Sequence, residues 1–303
     1  VEDSCYILRD SGVSVCFVEN RTQWKRLASN INETSDKIIW VWLDGDPDPG
    51  EHAMSLGKLE TLGMEWDQAH PGEFEGVVAG VSQDSVASII YTSGTTGPPK
   101  GVMLSHQCWF AQLDGLEPVV SQWLDNGKQY LFLPLAHVFG KSAALMGPAF
   151  GLPAAIDGDP QRIAEGLIST RPTAMAAVPR VFEKIYEKIW SRVGKESPGK
   201  QRVFRLALGV GQRVGALQRE GKRVPLPLSV AHRIADRVVF RKIRDRFGGR
   251  IRFFVSGGAP LSTDIAAFFH SVGLLILEGY GLTETTAATV VNRPDAFRFG
   301  SVG

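Results

Sequence analysis

The stretch RIRFFVSGGAPLSTDIAAFFHSVGLLILEGYGLTETT, from Arg250 to Thr286, restricts the fold more than any other part of this chain. Its apolar runs are short, and each is closed by a cluster of glycines, so they read as buried strands that end in loops. Between them Ser262 offers an N-cap for a helix. Strand, glycine loop, helix, strand and second glycine loop make a compact α/β repeat. Ligands of such sheets sit beyond the carboxyl ends of the strands, where these loops would lie.

The same alternation runs through the chain. A helix-like opening leads to VSVCFVEN, and KIIWVWLDG reads as a second, buried strand. Residues 44–85 are acidic and loop-like, after which SVASIIYTSG and KGVMLSH supply two more strands, with a helix from about Gln107. QYLFLPLAHVFG reads as a strand passing into a loop, and PTAMAAVPRVFEKIYEKIWSRV as a strand passing into a helix. In that helix Val181, Ile185, Ile189 and Val193 recur every four residues beside Phe182, Tyr186 and Trp190, a core pattern rather than a cofactor box. RIADRVVFRKIRDRFGG reads as a basic amphipathic helix stopped by Gly248 and Gly249.

With 303 residues and 44% hydrophobic content the chain has material for one large domain or two ordinary ones. No apolar run approaches the roughly 20 residues of a membrane span, and no charged-then-apolar leader opens the sequence. Cys5, Cys16 and Cys108 lack C-x-x-C spacing and suggest neither a disulfide framework nor a zinc site; a reducing cytoplasm is the expected compartment. The net charge of +1 conceals a basic block: residues 180–252 carry 20 Lys and Arg against 6 Asp and Glu. It reads either as a solvated outer face of amphipathic helices or as a surface that attracts an anionic membrane, nucleic acid or a phosphorylated cofactor. No nucleic-acid recognition motif accompanies the charge.

Chemistry concentrates in three glycine-bearing segments. The first, YTSGTTGPPKGVMLSH from Tyr91 to His106, fails the G-x-x-x-x-G-K-[ST] pattern, yet its composition suits an anion. Glycines let backbone approach phosphate, Ser93, Thr95 and Thr96 offer hydroxyls, Pro98 and Pro99 stiffen the exit, and Lys100 adds a positive charge. The competing reading is a surface turn between two strands. In the second, Ser256 to Pro260, two glycines would let a flat ring lie on the backbone. In the third, EGYGLTET, Tyr280 suits base stacking, while Glu284 fits equally a Mg²⁺ ligand and a helix-start residue. His137 and His106 are each open between structural and functional roles, and no spacing suggests a hydrolytic triad.

Taken together and in this order, the three segments resemble those of the AMP-forming acyl- and aryl-CoA synthetases, luciferases and peptide-synthetase adenylation domains. Tyr91 to Gly101 looks like their signature loop, Ser256 to Pro260 like their adenine segment, and Tyr280 to Glu284 like their Tyr-Gly-x-Thr-Glu element. Within the family, VPRVFEKIYEKI followed by a basic helical insertion is similar to the long-chain fatty acyl-CoA synthetases.

The resemblance implies an α/β fold, the large N-terminal adenylation (AMP-binding) domain built from stacked subdomains with mixed sheets, present only in part over residues 1–303. It implies ATP, Mg²⁺, coenzyme A and a fatty acid as partners, with acyl-adenylate and pyrophosphate formed before the thioester. Thr92, Ser93, Gly94, Thr95, Thr96 and Gly97 would grip phosphates, with Lys100 nearby. Gly258, Ala259, Glu278, Gly279, Tyr280 and Gly281 would surround the adenine. Thr283 would lie near the α-phosphate, Glu284 would hold Mg²⁺ with help from Thr95, and His137 would line the substrate pocket.

Two departures qualify this. Cys108 stands where relatives often carry asparagine, and the chain has no match to the family's later Thr-Gly-Asp element or to the small C-terminal lid domain with its lysine. The chain is therefore expected to be an internal fragment, nearly inactive alone, of a cytoplasmic enzyme with optional peripheral contact at the inner membrane face. Activation of an aryl, short-chain or amino acid, and a nucleotide-binding module without turnover, are the alternatives.

Overall fold

The computed structural model of the chain describes residues 1–31, 37–48, 51–93, 97–123 and 125–303. It forms two compact units, Val1–Gln107 and Cys108–Gly303.

In the first unit, β1 (Val15–Val18), β2 (Ile39–Trp42) and β3 (Ala53–Ser55) form a parallel sheet in that order. The helices Glu2–Asp10 and Arg21–Ile31 complete a small core of Cys5, Val18, Ile31, Ile38, Trp40 and Trp42. The tryptophans of β2 are buried as the sequence implied, with Trp24 tilted against Trp42 at 5.6 Å, whereas Ile39 is half exposed. Residues 44–85 are not the loop expected from their acidity: they contain β3 and the helices Leu56–Ala69 and Glu73–Ala79. Neither helix buries any residue, so the apolar stripe by which a helix is usually recognised is not partnered. An antiparallel pair follows, β4 (Val86–Thr92) with β5 (Lys100–Ser105), in which Thr92 faces Lys100.

The second unit is built on a six-stranded sheet. Its strands are β6 (Gln129–Leu131), β7 (Ala154–Ile156), β8 (Ala174–Ala177), β9 (Phe253–Ser256), β10 (Leu275–Leu282) and β11 (Ala287–Val291). The spatial order is β11-β10-β9-β8-β6-β7, parallel except for β11. Both faces are covered. Successive residues of a strand point to opposite sides: Phe254 enters the larger core with Phe182, Phe247 and Phe269, while Phe253 enters a smaller one with Val120, Leu152, Ala174 and Leu277. Phe182 meets Phe254 edge-on at 5.4 Å and Phe269 at 5.9 Å, the arrangement favoured by ring quadrupoles.

Phe182 lies on the helix Pro179–Gly194, and Val181, Ile185, Ile189 and Val193 of the four-residue repeat pack against this core from its margin. Pro179 opens that helix, where its missing N–H costs nothing. The helix begun near Gln107 runs from His106 to Trp123. The basic segment is more articulated than one amphipathic helix. After the helix Pro198–Arg219 come Leu226–Ala235, a π-helical turn Asp236–Phe240, the short helix Arg241–Arg244 and a 3₁₀ turn Asp245–Phe247. Gly248 and Gly249 end it in the left-handed region, φ 81° and 71°, as a helix stop requires.

Candidate active site at the carboxyl ends of the sheet

Parallel strands deliver their following segments to one edge of the sheet, and three of the sequence-selected elements arrive there in the second unit. The Gly257 N–H donates to the Ala177 carbonyl at 3.3 Å, which seats the start of the second glycine segment beside the end of β8. A side chain on Gly257 would lie 3.5 Å from the Phe139 ring and 3.6 Å from the Gly279 carbonyl. Gly258, at φ +84°, faces Val178. The segments after β6, β8 and β9 and the outer half of β10 thus meet around two glycines. Gly258, Ala259 and Pro260 are exposed, so their backbone is open to a flat ligand. Ser256, just beneath, is 1% exposed and its Oγ has no hydrogen-bond partner. Ser262 is the N-cap of the helix Thr263–Ser271 by position, but its side chain makes no capping bond.

EGYGLTET is not a loop. Glu278 to Leu282 continue β10, paired with β11 across a bulge at Tyr280 and Gly281, and Thr283–Thr285 form a 3₁₀ turn. Strand is possible here because a Cβ at Gly281 would occupy the place of the Ala287 carbonyl; glycine admits the close approach that two residues of ordinary size would refuse. Exposure rises outward along β10, from Glu278 at 7% to Tyr280 at 51%, where the strand runs beyond β9. The Glu278 carboxylate accepts the Gly300 N–H at 3.0 Å, and its carbonyl accepts the backbone N–H and the side-chain amide of Asn292. Glu278 is therefore engaged by the polypeptide, whereas Glu284 is exposed and forms no ion pair among the described residues.

Residues that sequence reasoning passed over fix this turn and the segment after β11. Thr285 Oγ1 accepts the Leu282 N–H at 3.0 Å and the Thr289 hydroxyl at 2.9 Å. Asn292 Nδ2 donates to the Ser301 carbonyl at 2.6 Å and its Oδ1 accepts the Arg298 N–H at 3.1 Å. The only hint of Asn292 in the sequence is an amide side chain two residues before Pro294. His137 is exposed at the N-terminus of the helix Val138–Phe150, where its carbonyl accepts the Lys141 N–H. The expected loop before it covers residues 132–137, and Gly140 leaves space for the Pro134 carbonyl folding back onto that helix.

The first glycine-rich segment belongs to the first unit. Thr92 and Lys100, assigned above to a phosphate grip, are the last residue of β4 and the first of β5 and lie opposite one another. The connection between them is residues 93–99, with Ser93 exposed and Gly97 at φ +98°; Gly94, Thr95 and Thr96 lie outside the described residues. The hairpin stem is tightly specified. Tyr91 donates to Asp10 Oδ2 at 2.6 Å, and burial and that carboxylate push its phenol up to about 12. A side chain on Gly101 would press on Ile89 and on the Tyr91 ring.

These features define an α/β fold with its candidate site at the carboxyl ends of a mostly parallel sheet, and comparison with known proteins supplies its family. The chain belongs to the AMP-binding enzyme family, whose model matches residues 1–303. It is 33% identical over 303 residues to the long-chain-fatty-acid–CoA ligase FadD15 of Mycobacterium bovis, covering 98% of this chain and 48% of that protein. It is 37% identical over 205 residues to the peroxisomal long chain acyl-CoA synthetase 6 of Arabidopsis thaliana, covering 67% of this chain and 28% of the other. The chain therefore spans about half the length, or less, of these relatives.

Among solved structures, the anthranilate CoA ligase AuaEII with anthranoyl-AMP superposes with a TM-score of 0.62 at 18% identity, over the whole of this chain and 47% of that one. O-succinylbenzoate CoA synthetase from Bacillus subtilis, in complex with ATP and magnesium, gives 0.57 at 16% identity, over 100% and 47%. At these identities the likeness establishes the fold. Among the described residues no helix is long and apolar enough to cross a membrane.

Proposed function

We propose that the protein of which these residues are part activates a long-chain fatty acid with ATP and passes it to coenzyme A. The observation that carries this reading is the carboxyl-end cluster, where an exposed glycine backbone, a half-exposed tyrosine and an uncommitted carboxylate occur within one sheet edge. The choice of a fatty acid is supported by the named activities of relatives in two kingdoms.

The residues fit the groups this chemistry needs. Gly258 and Ala259 offer backbone to the adenine, and Ser256 Oγ is a buried hydroxyl still lacking a partner beneath them. Tyr280, half exposed at the same edge, would offer its ring for stacking on the base. A Mg²⁺ ion would be held by Glu284 with help from Thr95, its remaining positions filled by phosphate oxygens and water. That ion, when bound, supplies charge neutralisation on the triphosphate.

In the first half-reaction a carboxylate oxygen of the fatty acid forms a bond to the α-phosphorus as the bond to pyrophosphate breaks. In the second, the thiol of coenzyme A attacks the acyl carbonyl, loses its proton and expels AMP. No protein nucleophile is required. The Thr283 hydroxyl would donate to an α-phosphate oxygen, Ser93 and the backbone about Gly97 would contribute to holding pyrophosphate with Lys100, and His137 would border the acyl entry.

The test is pyrophosphate–ATP exchange by the protein encoded in the full reading frame around this chain. Palmitate should stimulate exchange more than benzoate, acetate or an amino acid. Glu284→Ala should lower exchange on the order of 100-fold while leaving unfolding unchanged. Stimulation by an aryl or amino acid alone would reassign the substrate, and wild-type exchange in Glu284→Ala would remove the metal role.

A further inference from the structure

We propose that the outer face of the helical segment 226–242 docks on the surface of an anionic phospholipid bilayer. Leu226, Val230, Ile234 and Val238 follow one another at intervals of four and are 78%, 48%, 61% and 45% exposed. Arg233, Arg237, Arg241 and Lys242 are exposed on the same segment, and none is in an ion pair among the described residues. The opposite side is spent on the fold: Ala235, Phe240 and Phe247 enter the larger core, with Val239 and Ile243 packed against it. The acidic residue within 226–242, Asp236, is half-buried and held by Arg244 at 2.6 Å.

An aliphatic stripe beside a cationic one, with no free carboxylate, matches the two layers of a membrane interface. Side chains such as Leu226 and Ile234 enter the acyl boundary, and guanidinium groups remain among phosphates. Other occupants fit less well. A nucleic acid would satisfy the charges but leave four aliphatic side chains against a polar backbone. A second copy paired on this face would bring like charges together across the symmetry axis. The surface does not depend on the reaction proposed above, and its tests read no activity.

The experiment is co-sedimentation of this chain with vesicles of phosphatidylcholine, alone or with one quarter phosphatidylglycerol, at low and high salt. Binding should require phosphatidylglycerol and fall with salt. Arg233→Glu/Arg237→Glu/Arg241→Glu should weaken it on the order of 100-fold. Leu226→Ser/Ile234→Ser, which keeps every charge, should weaken it about tenfold. The same charge reversal on another helix, Lys184→Glu/Lys188→Glu/Arg192→Glu, should retain most binding, which separates this face from net charge. Circular dichroism and melting identify any variant that fails to fold.

Equal sedimentation with neutral and anionic vesicles, or equal loss in the two charge-reversed triples, would overturn the proposal. So would oligonucleotide binding that survives Leu226→Ser/Ile234→Ser, or a dimer dissolved by those two changes.

Discussion

The two units hold their candidate chemistry in different ways. In Cys108–Gly303 the glycine segment after β9 and the outer half of β10 extend from strands whose inner residues, Phe254 and Ile276 among them, are fully buried on a sheet covered on both faces. In Val1–Gln107 the glycine-rich connection leaves a two-stranded ladder, and the helices preceding it, Leu56–Ala69 and Glu73–Ala79, bury nothing. In the first arrangement position comes from packing. In the second it comes from local devices: the β4–β5 ladder, the Tyr91–Asp10 hydrogen bond and the stem glycine Gly101.

Breaking the packing should separate the two most strongly. Phe254→Ala should destabilise the protein by about 3–5 kcal/mol, because it leaves a cavity among Phe182, Phe247 and Phe269. Trp66→Ala, on a side chain 44% exposed, should cost less than about 1 kcal/mol. Urea unfolding of both variants checks this, and equal losses would erase the distinction.

Two glycines provide the next contrast. Gly281→Ala forces a methyl group onto the Ala287 carbonyl and should cost about 2–4 kcal/mol as β11 is displaced. Gly76→Ala, in a helix with open space around it, should instead stabilise by about 0.5–1 kcal/mol. Thermal melts of the pair decide the sign.

A smaller effect appears on acidification. His270 is lowered to about 4, by burial and by the charge of Arg219, against 6.5 for an ordinary histidine. The unfolded chain therefore takes the proton first, and stability present above pH 6.5 is lost as pH falls toward 4, by about 1–3 kcal/mol. His270→Phe, set among Phe297 and Phe299, should flatten that slope in urea midpoints measured across the range. An unchanged slope would assign the acid sensitivity elsewhere.

How legible all this was depends on what each residue is asked to do. The strands at Phe253 and Leu275 could be read because apolar runs bounded by glycine have few other uses. The helix at Pro179 could be read because its apolar period is partnered by a core. Residues 56–79 could not, since a helix that buries nothing carries no obligatory stripe. EGYGLTET was misread as a loop for a different reason: its glycines serve contact between β10 and β11, a fact held in the partner strand. Asn292 and Thr285 were invisible because their importance lies in hydrogen bonds closed by the fold. Tyr280 and Glu284 stand out by their own chemistry beside the glycines, whereas the roles expected of them and of Thr283 come from resemblance to a motif.

The π-helical turn Asp236–Phe240 has a geometric consequence of its own. In a regular α-helix each step of four residues overshoots a full revolution by about 40°, so a row spaced by fours winds away from its starting side. A π turn, closed by i→i+5 bonds, advances less per residue and cancels part of that overshoot. Val238 is thereby kept outward in line with Ile234, while Phe240 still points into the core. The turn works as a phase correction, letting one continuous coil serve two surfaces whose repeats differ.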